Sequence, residues 1–175
     1  MQRLMPVVPA LLALALGGCR TMIPATDGTP PRLELTITGP GIGRQTMTNP
    51  PRAQWSGSGG AQLFDLAPRS RYNFTLTVSD SGGVSRAHLR MPATFTVSEL
   101  SPAAVTNDVD ALVRRLTLVG NRDDPRTGLV IAGTLETPTS GGLSFDFQAE
   151  GADFGGTAGT PNQANLNVTS YVAVP

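Results

Sequence analysis

Seven consecutive residues, Tyr72-Asn73-Phe74-Thr75-Leu76-Thr77-Val78, alternate strictly between apolar and polar side chains. A period of two places every apolar group on one face of an extended chain, and aromatic and β-branched residues suit a pleated, half-buried surface. A helix would scatter the same side chains around its circumference. The stretch predicts a β-strand with one buried face. Such a strand needs neighbours to pair with and a second layer to cover it.

The same rhythm recurs along the chain. Leu33–Thr38, Gln62–Leu66, Val84–Met91, the pair Phe95 and Val97, the pair Leu116 and Leu118, Leu143–Glu150 and Leu166–Val174 all read as strands. Asp80-Ser81-Gly82-Gly83 carries turn residues and predicts a hairpin between Tyr72–Val78 and Val84–Met91. Leu129-Val130-Ile131-Ala132 is apolar throughout, which predicts a strand covered on both faces. Gly43–Gly60 shows no clear period, and Gly151–Gln163 reads as a glycine-rich loop. Ser98–Val113 breaks the rhythm: Ser101-Pro102-Ala103-Ala104 reads as the opening of a short helix, and Asn107-Asp108-Val109-Asp110 as its cap. This break divides the strand-rich chain into residues 32–98 and 99–175, and the sequence leaves open whether the two share one core.

The N-terminus follows another logic. Arg3 precedes an apolar run from Leu4 to Leu16, and Gly17 and Gly18 lead to Cys19. A charged start, a short apolar core and a small-residue cleavage site read as a secretory signal over residues 1–18, and the run falls short of the roughly 20 residues that span a bilayer. Leu16-Gly17-Gly18-Cys19 resembles the lipobox of bacterial lipoproteins. That resemblance implies cleavage after Gly18, a thioether-linked diacylglycerol on Cys19 and acylation of the new amine. Several chains are what stable anchoring requires, because one acyl chain anchors only marginally. Arg20 occupies the position where Asp marks retention in this family, which leans towards the outer membrane or outer surface. Residues 19–31 then form the lipidated cysteine and a Thr- and Pro-rich tether.

Three further pieces resemble immunoglobulin-like β-sandwich modules of bacterial surface proteins. Asp27-Gly28-Thr29-Pro30-Pro31 before a strand is similar to the opening of such repeats. Leu66-Ala67-Pro68 with Tyr72 is similar to the tyrosine corner of fibronectin type III domains, where the hydroxyl bonds back to the chain. Tyr72–Gly83 is similar to the last hairpin of PKD-type domains, and Trp55 and Gly60 fit the spacing of the Trp-x-Phe-Gly-Asp-Gly motif, with Ser58 and Gly59 in place of its Gly-Asp pair. The fold class expected is all-β: an immunoglobulin-like antiparallel β-sandwich followed by a further antiparallel β meander. Function does not transfer with a fold of this kind.

Composition narrows the chemistry. The 13 basic residues balance 13 acidic ones, and all the basic ones are Arg. Net neutrality argues against a nucleic-acid footprint. Cys19 is the single cysteine, so its acylation leaves no disulfide and no thiolate metal site. His88 is the single histidine and shares a strand face with Arg86 and Arg90. That trio reads either as a solvated sheet face or as a cationic stripe for an anionic polymer or lipid headgroup. Asp108 and Asp110 read first as a helix cap and a solvated acid, with calcium ligation as the weaker alternative. Asp146 and Glu150 share a strand face about 13 Å apart along the axis, too far for a glycosidase pair, and Asp153 follows them. Trp55 reads as a sugar-stacking or a core residue. No catalytic constellation and no cofactor beyond the lipid are read. The expected function is a non-catalytic binding or structural module of the cell envelope, contacting another envelope protein, a glycan or the cell wall. The alternatives are a small envelope hydrolase or carbohydrate-active accessory protein, and a calcium-stiffened surface stalk.

Overall fold

A computed structural model describes residues 28–49, 63–155 and 160–173. Eleven strands make two sheets: β1 (Arg32–Gly39), β2 (Gly43–Asn49), β3 (Leu63–Leu66), β4 (Arg71–Ser79), β5 (Val84–Pro92), β6 (Thr96–Ser101), β7 (Thr106–Val109), β8 (Val113–Val119), β9 (Gly128–Glu136), β10 (Leu143–Asp153) and β11 (Gln163–Val172). One sheet has the order β2-β1-β4-β9-β6 and the other β3-β11-β10-β5-β8-β7. Every pairing is antiparallel except that of β3 with β11. The fold is an all-β, immunoglobulin-like sandwich. Its two sheets draw strands from both halves of the chain: β9 lies between β4 and β6, and β10 between β5 and β11.

The alternation in β4 does what its period dictates. Tyr72, Phe74, Leu76 and Val78 are buried, as are Leu33, Leu35 and Ile37 of β1 beside them. Facing them, β5 buries Ala87, Leu89 and Met91, β10 Phe147 and Ala149, and β11 Leu166 and Val168. Together they form one contiguous apolar cluster. Gly151 on β10 lets the sheets approach closely, since a Cβ there would lie 2.6 Å from Val78 Cγ1 and 2.8 Å from Leu33 Cδ2.

The hairpin expected at Asp80–Gly83 is absent. β4 pairs with β1 and β9, whereas β5 pairs with β8 and β10. The turn is an arch between sheets, held at both ends by one segment. Asp80 N–H donates to Thr127 O (2.9 Å) and Val84 N–H to Arg126 O (2.8 Å), while Gly82 N–H donates to Asp80 Oδ1 (2.7 Å). Periodicity marks an inward face and not a sheet, and the same turn residues serve both geometries. Two other expectations fail as well. Val130 is 43% exposed, so β9 is covered on one face only. Residues 106–109 form β7 and not a helix cap.

Tyr72 makes the corner its spacing suggested. Its ring is 1% exposed. The hydroxyl accepts from Ala67 N–H (2.8 Å) and donates to Pro40 O (3.1 Å). Gly39 makes room, since a Cβ there would sit 2.4 Å from Tyr72 Cδ1. Thr137 ties the same corner to the end of β9 by accepting from Ser70 N–H (2.9 Å) and donating to Ala67 O (2.7 Å). Tyr72→Phe keeps the ring and strands both backbone partners, which is expected to cost about 1–3 kcal/mol in urea unfolding.

Candidate functional site

Arg86, His88 and Arg90 share the outer face of β5, as the alternation required. The register then interleaves them with neighbours. His88 lies opposite Glu150 on β10 and Thr117 on β8, and Arg90 opposite Gln148 and Arg115. Asp108 on β7 lies opposite Arg115. The face is a ladder of mixed charge. His88 Nδ1 is 2.9 Å from Thr117 Oγ1. Partial burial pulls the His88 pKa below its ordinary 6.5. Glu150 opposes that shift, and Arg86, Arg90 and Arg115 reinforce it.

A histidine that resists protonation in the fold binds its proton more readily when unfolded. Its contribution is intact above about pH 6.5 and is lost as pH falls through 6.5 towards the lower folded value. The melting temperature is expected to fall over that window in the native chain and to fall less in His88→Gln.

The two calcium candidates are not equivalent. Asp110 Oδ1 accepts from Leu112 N–H (2.9 Å) and Val113 N–H (2.7 Å), and Oδ2 from Arg115 (2.7 Å). The backbone bonds to Leu112 and Val113, then Arg115, hold its carboxyl at about 2. Both oxygens are thus committed to closing the β7–β8 turn. Asp108 lies on the far side of Val109, on exposed backbone. Among the described residues, no group of three or more His, Cys, Asp or Glu side chains is placed to hold a metal. Adding calcium or a chelator is therefore expected to leave the melting temperature unchanged, and a clear rise with calcium would show otherwise.

Asp146 is exposed and Glu150 half-buried on the outer face of β10, in keeping with a solvated sheet. Asp153 departs from expectation. It is the last residue of β10 and is 1% exposed. Its carboxylate accepts from Gly155 N–H, Asn162 N–H and Asn162 Nδ2, each at 2.7 Å. It is a structural anchor for the turn into β11. Gly18, Cys19 and Trp55 lie outside the described residues.

Two features carried no sequence signal. The first is the free edge of β7, all four residues of which are exposed. Within it Val109 is 51% exposed, and Leu112 in the turn that follows is 79% exposed. The second is an open hollow of about 480 Å³ between β8 and β9, beneath Val119 and Val130 and rimmed by Asn121, Asp124 and Arg126. It arises because β6 and β7 stop short: β6 pairs with β9 only as far as Ala132, and β7 with β8 only as far as Thr117.

No family model matches the chain, and no curated protein matches it. Among solved structures it is similar to BcpA, the major pilin subunit of Bacillus cereus, at 8% identity and a TM-score of 0.45, covering 81% of this chain. It spans 40% of the pilin's length. It is also similar to a non-cellulosomal cohesin from Archaeoglobus fulgidus, at 12% identity and a TM-score of 0.41 over 65% of this chain and 90% of the cohesin. A third is self-complemented MyfA, the major subunit of Myf fimbriae from Yersinia enterocolitica, at 13% identity and a TM-score of 0.35 over 79% of this chain and 98% of that one. Similarity at this level transfers no function.

Proposed function

We propose that the protein is a lipid-anchored, non-catalytic module of the bacterial cell envelope that holds a contact surface for another envelope protein away from the membrane. The observation that carries this reading is the opposition of two ends. The described chain enters at Gly28–Pro31, where β1 begins. The β7–β8 turn, with Leu112, lies at the other end, level with Pro92 at the end of β5. A tether from Cys19 would therefore leave the β7 turn pointing outward.

Strand addition suits this surface. Asp110 N–H donates to Val113 O (3.0 Å), and Asp108 and Thr106 lie opposite Arg115 and Thr117. In an antiparallel ladder alternate residues bond inward. Asn107 and Val109 thus turn their backbone groups to the open edge. An extended segment of a partner would pair there and cover Val109 and Leu112. The opposite edge strand of the other sheet, β6, is interrupted by a bulge between Ser98 and Ser101, with Glu99 at φ 55°, which discourages pairing.

The test is a photo-activated cross-linker at Leu112 in intact cells, with Cys19→Ser as the comparison. A discrete protein adduct that disappears in Cys19→Ser is expected. Glycan adducts alone, or none, would refute a protein contact at this edge.

A further inference from the structure

The end through which the chain enters carries its own surface. Arg32 is level with Ser79, and Ser79 with Gly128, so β1 and β9 begin side by side across β4. Val119, the last residue of β8, is level with Arg86. Val119 is 72% exposed and, with Val130, flanks the hollow between the sheets. Arg32, Arg86, Arg122 and Arg126 are exposed at this end, against exposed Asp123 and Asp124.

We infer that this end rests on the bilayer surface holding the anchor, with Val119 in the interfacial layer and the arginines against anionic headgroups. The inference rests on the reading that Cys19 is acylated. Chain length favours this end. Nine peptide steps separate Cys19 from Gly28. A coil of nine steps spans about 17 Å, and a fully extended chain of nine steps about 31 Å. The entry end is within that reach. The Leu112 end lies a further ~26 Å away, the length of β1, beyond the coil span and within reach only of a nearly fully extended tether. A tether this short keeps the surface at an effective concentration in the millimolar range, so a contact too weak to hold a free protein is occupied here. Apolar side chains beside guanidinium groups suit the headgroup boundary.

Because acylation blocks Cys19, a cysteine introduced elsewhere is the sole free thiol of the full acylated chain. Val119→Cys and Leu112→Cys, each labelled with an environment-sensitive fluorophore, are compared in vesicles of phosphatidylethanolamine and phosphatidylglycerol. Quenching by aqueous acrylamide, a neutral quencher, is expected to be several-fold weaker at position 119 than at 112. Adding Arg122→Glu and Arg126→Glu is expected to restore quenching at 119. Equal quenching at the two positions, stronger shielding at 112, or shielding at 119 that ignores the charge reversals would overturn the inference. An intact mass showing acylated Cys19 in those cases leaves the anchored reading standing; a mass without lipid sinks both.

Discussion

Phe147→Ala is expected to cost about 3–5 kcal/mol of stability, the range for emptying a buried aromatic site. Phe147 is buried on the inner face of β10. Its ring centroid lies 5.4 Å from Phe145, 5.8 Å from Phe95 and 6.1 Å from Phe64, in edge or tilted arrangements. Those rings come from β10, from the connection between β5 and β6 and from β3, so one truncation loosens the sheet that holds β3 and β10 and the crossover to β6. Each edge-to-face contact adds about 0.5–1.5 kcal/mol beyond burial. Phe145, only partly buried at the rim of the cluster, is the control. Phe145→Ala should lose distinctly less in the same urea titration. Equal losses would mean that the four rings do not form the packed centre described.

The second large effect is at Asp153. Its carboxylate is buried and is compensated by three N–H donors from Gly155 and Asn162. Alanine leaves those donors without an acceptor, and stranded buried donors cost about 1–3 kcal/mol each. Partial rescue by water as the turn relaxes leaves an expected loss of about 3 kcal/mol or more for Asp153→Ala. Asparagine keeps one acceptor oxygen and should lose clearly less. A neutral Asp153→Ala would show that the turn does not depend on this carboxylate.

The contrast between these residues shows what was legible in the sequence. Phe147 sits in an alternating run, and period-two patterning assigned it an inward face, as it did Tyr72–Val78 and Leu33–Ile37. Asp153 follows the same run, but Gly151 and Ala152 conceal the continuation of the strand, and a carboxylate so close to Asp146 and Glu150 reads as solvent-facing chemistry. Only its three donors, two of them from Asn162 nine residues later, reveal its role. The tyrosine corner was legible because one of its hydrogen bonds is local, from Ala67 N–H to the Tyr72 hydroxyl; the other, to Pro40, was not. The sheet assignment of β4 and β5 was not, because it depends on the distant segment Arg126–Thr127. The free edge of β7 was hidden for another reason. Asn107-Asp108-Val109-Asp110 has the composition of a cap, and pairing with β8 overrides that local preference. The hollow between β8 and β9 follows from where β6 and β7 stop, which no local pattern encodes.

The reading of an anchored module whose free end meets its partner depends first on Cys19. The most direct measurement is the intact mass of the protein extracted from cell membranes in detergent. The expected mass is that of residues 19–175 with a diacylglycerol thioether and an acylated amine at Cys19, together with loss of membrane association in Cys19→Ser. A chain cleaved at another bond, or one carrying an unmodified Cys19 and recovered in the soluble fraction, would contradict the account.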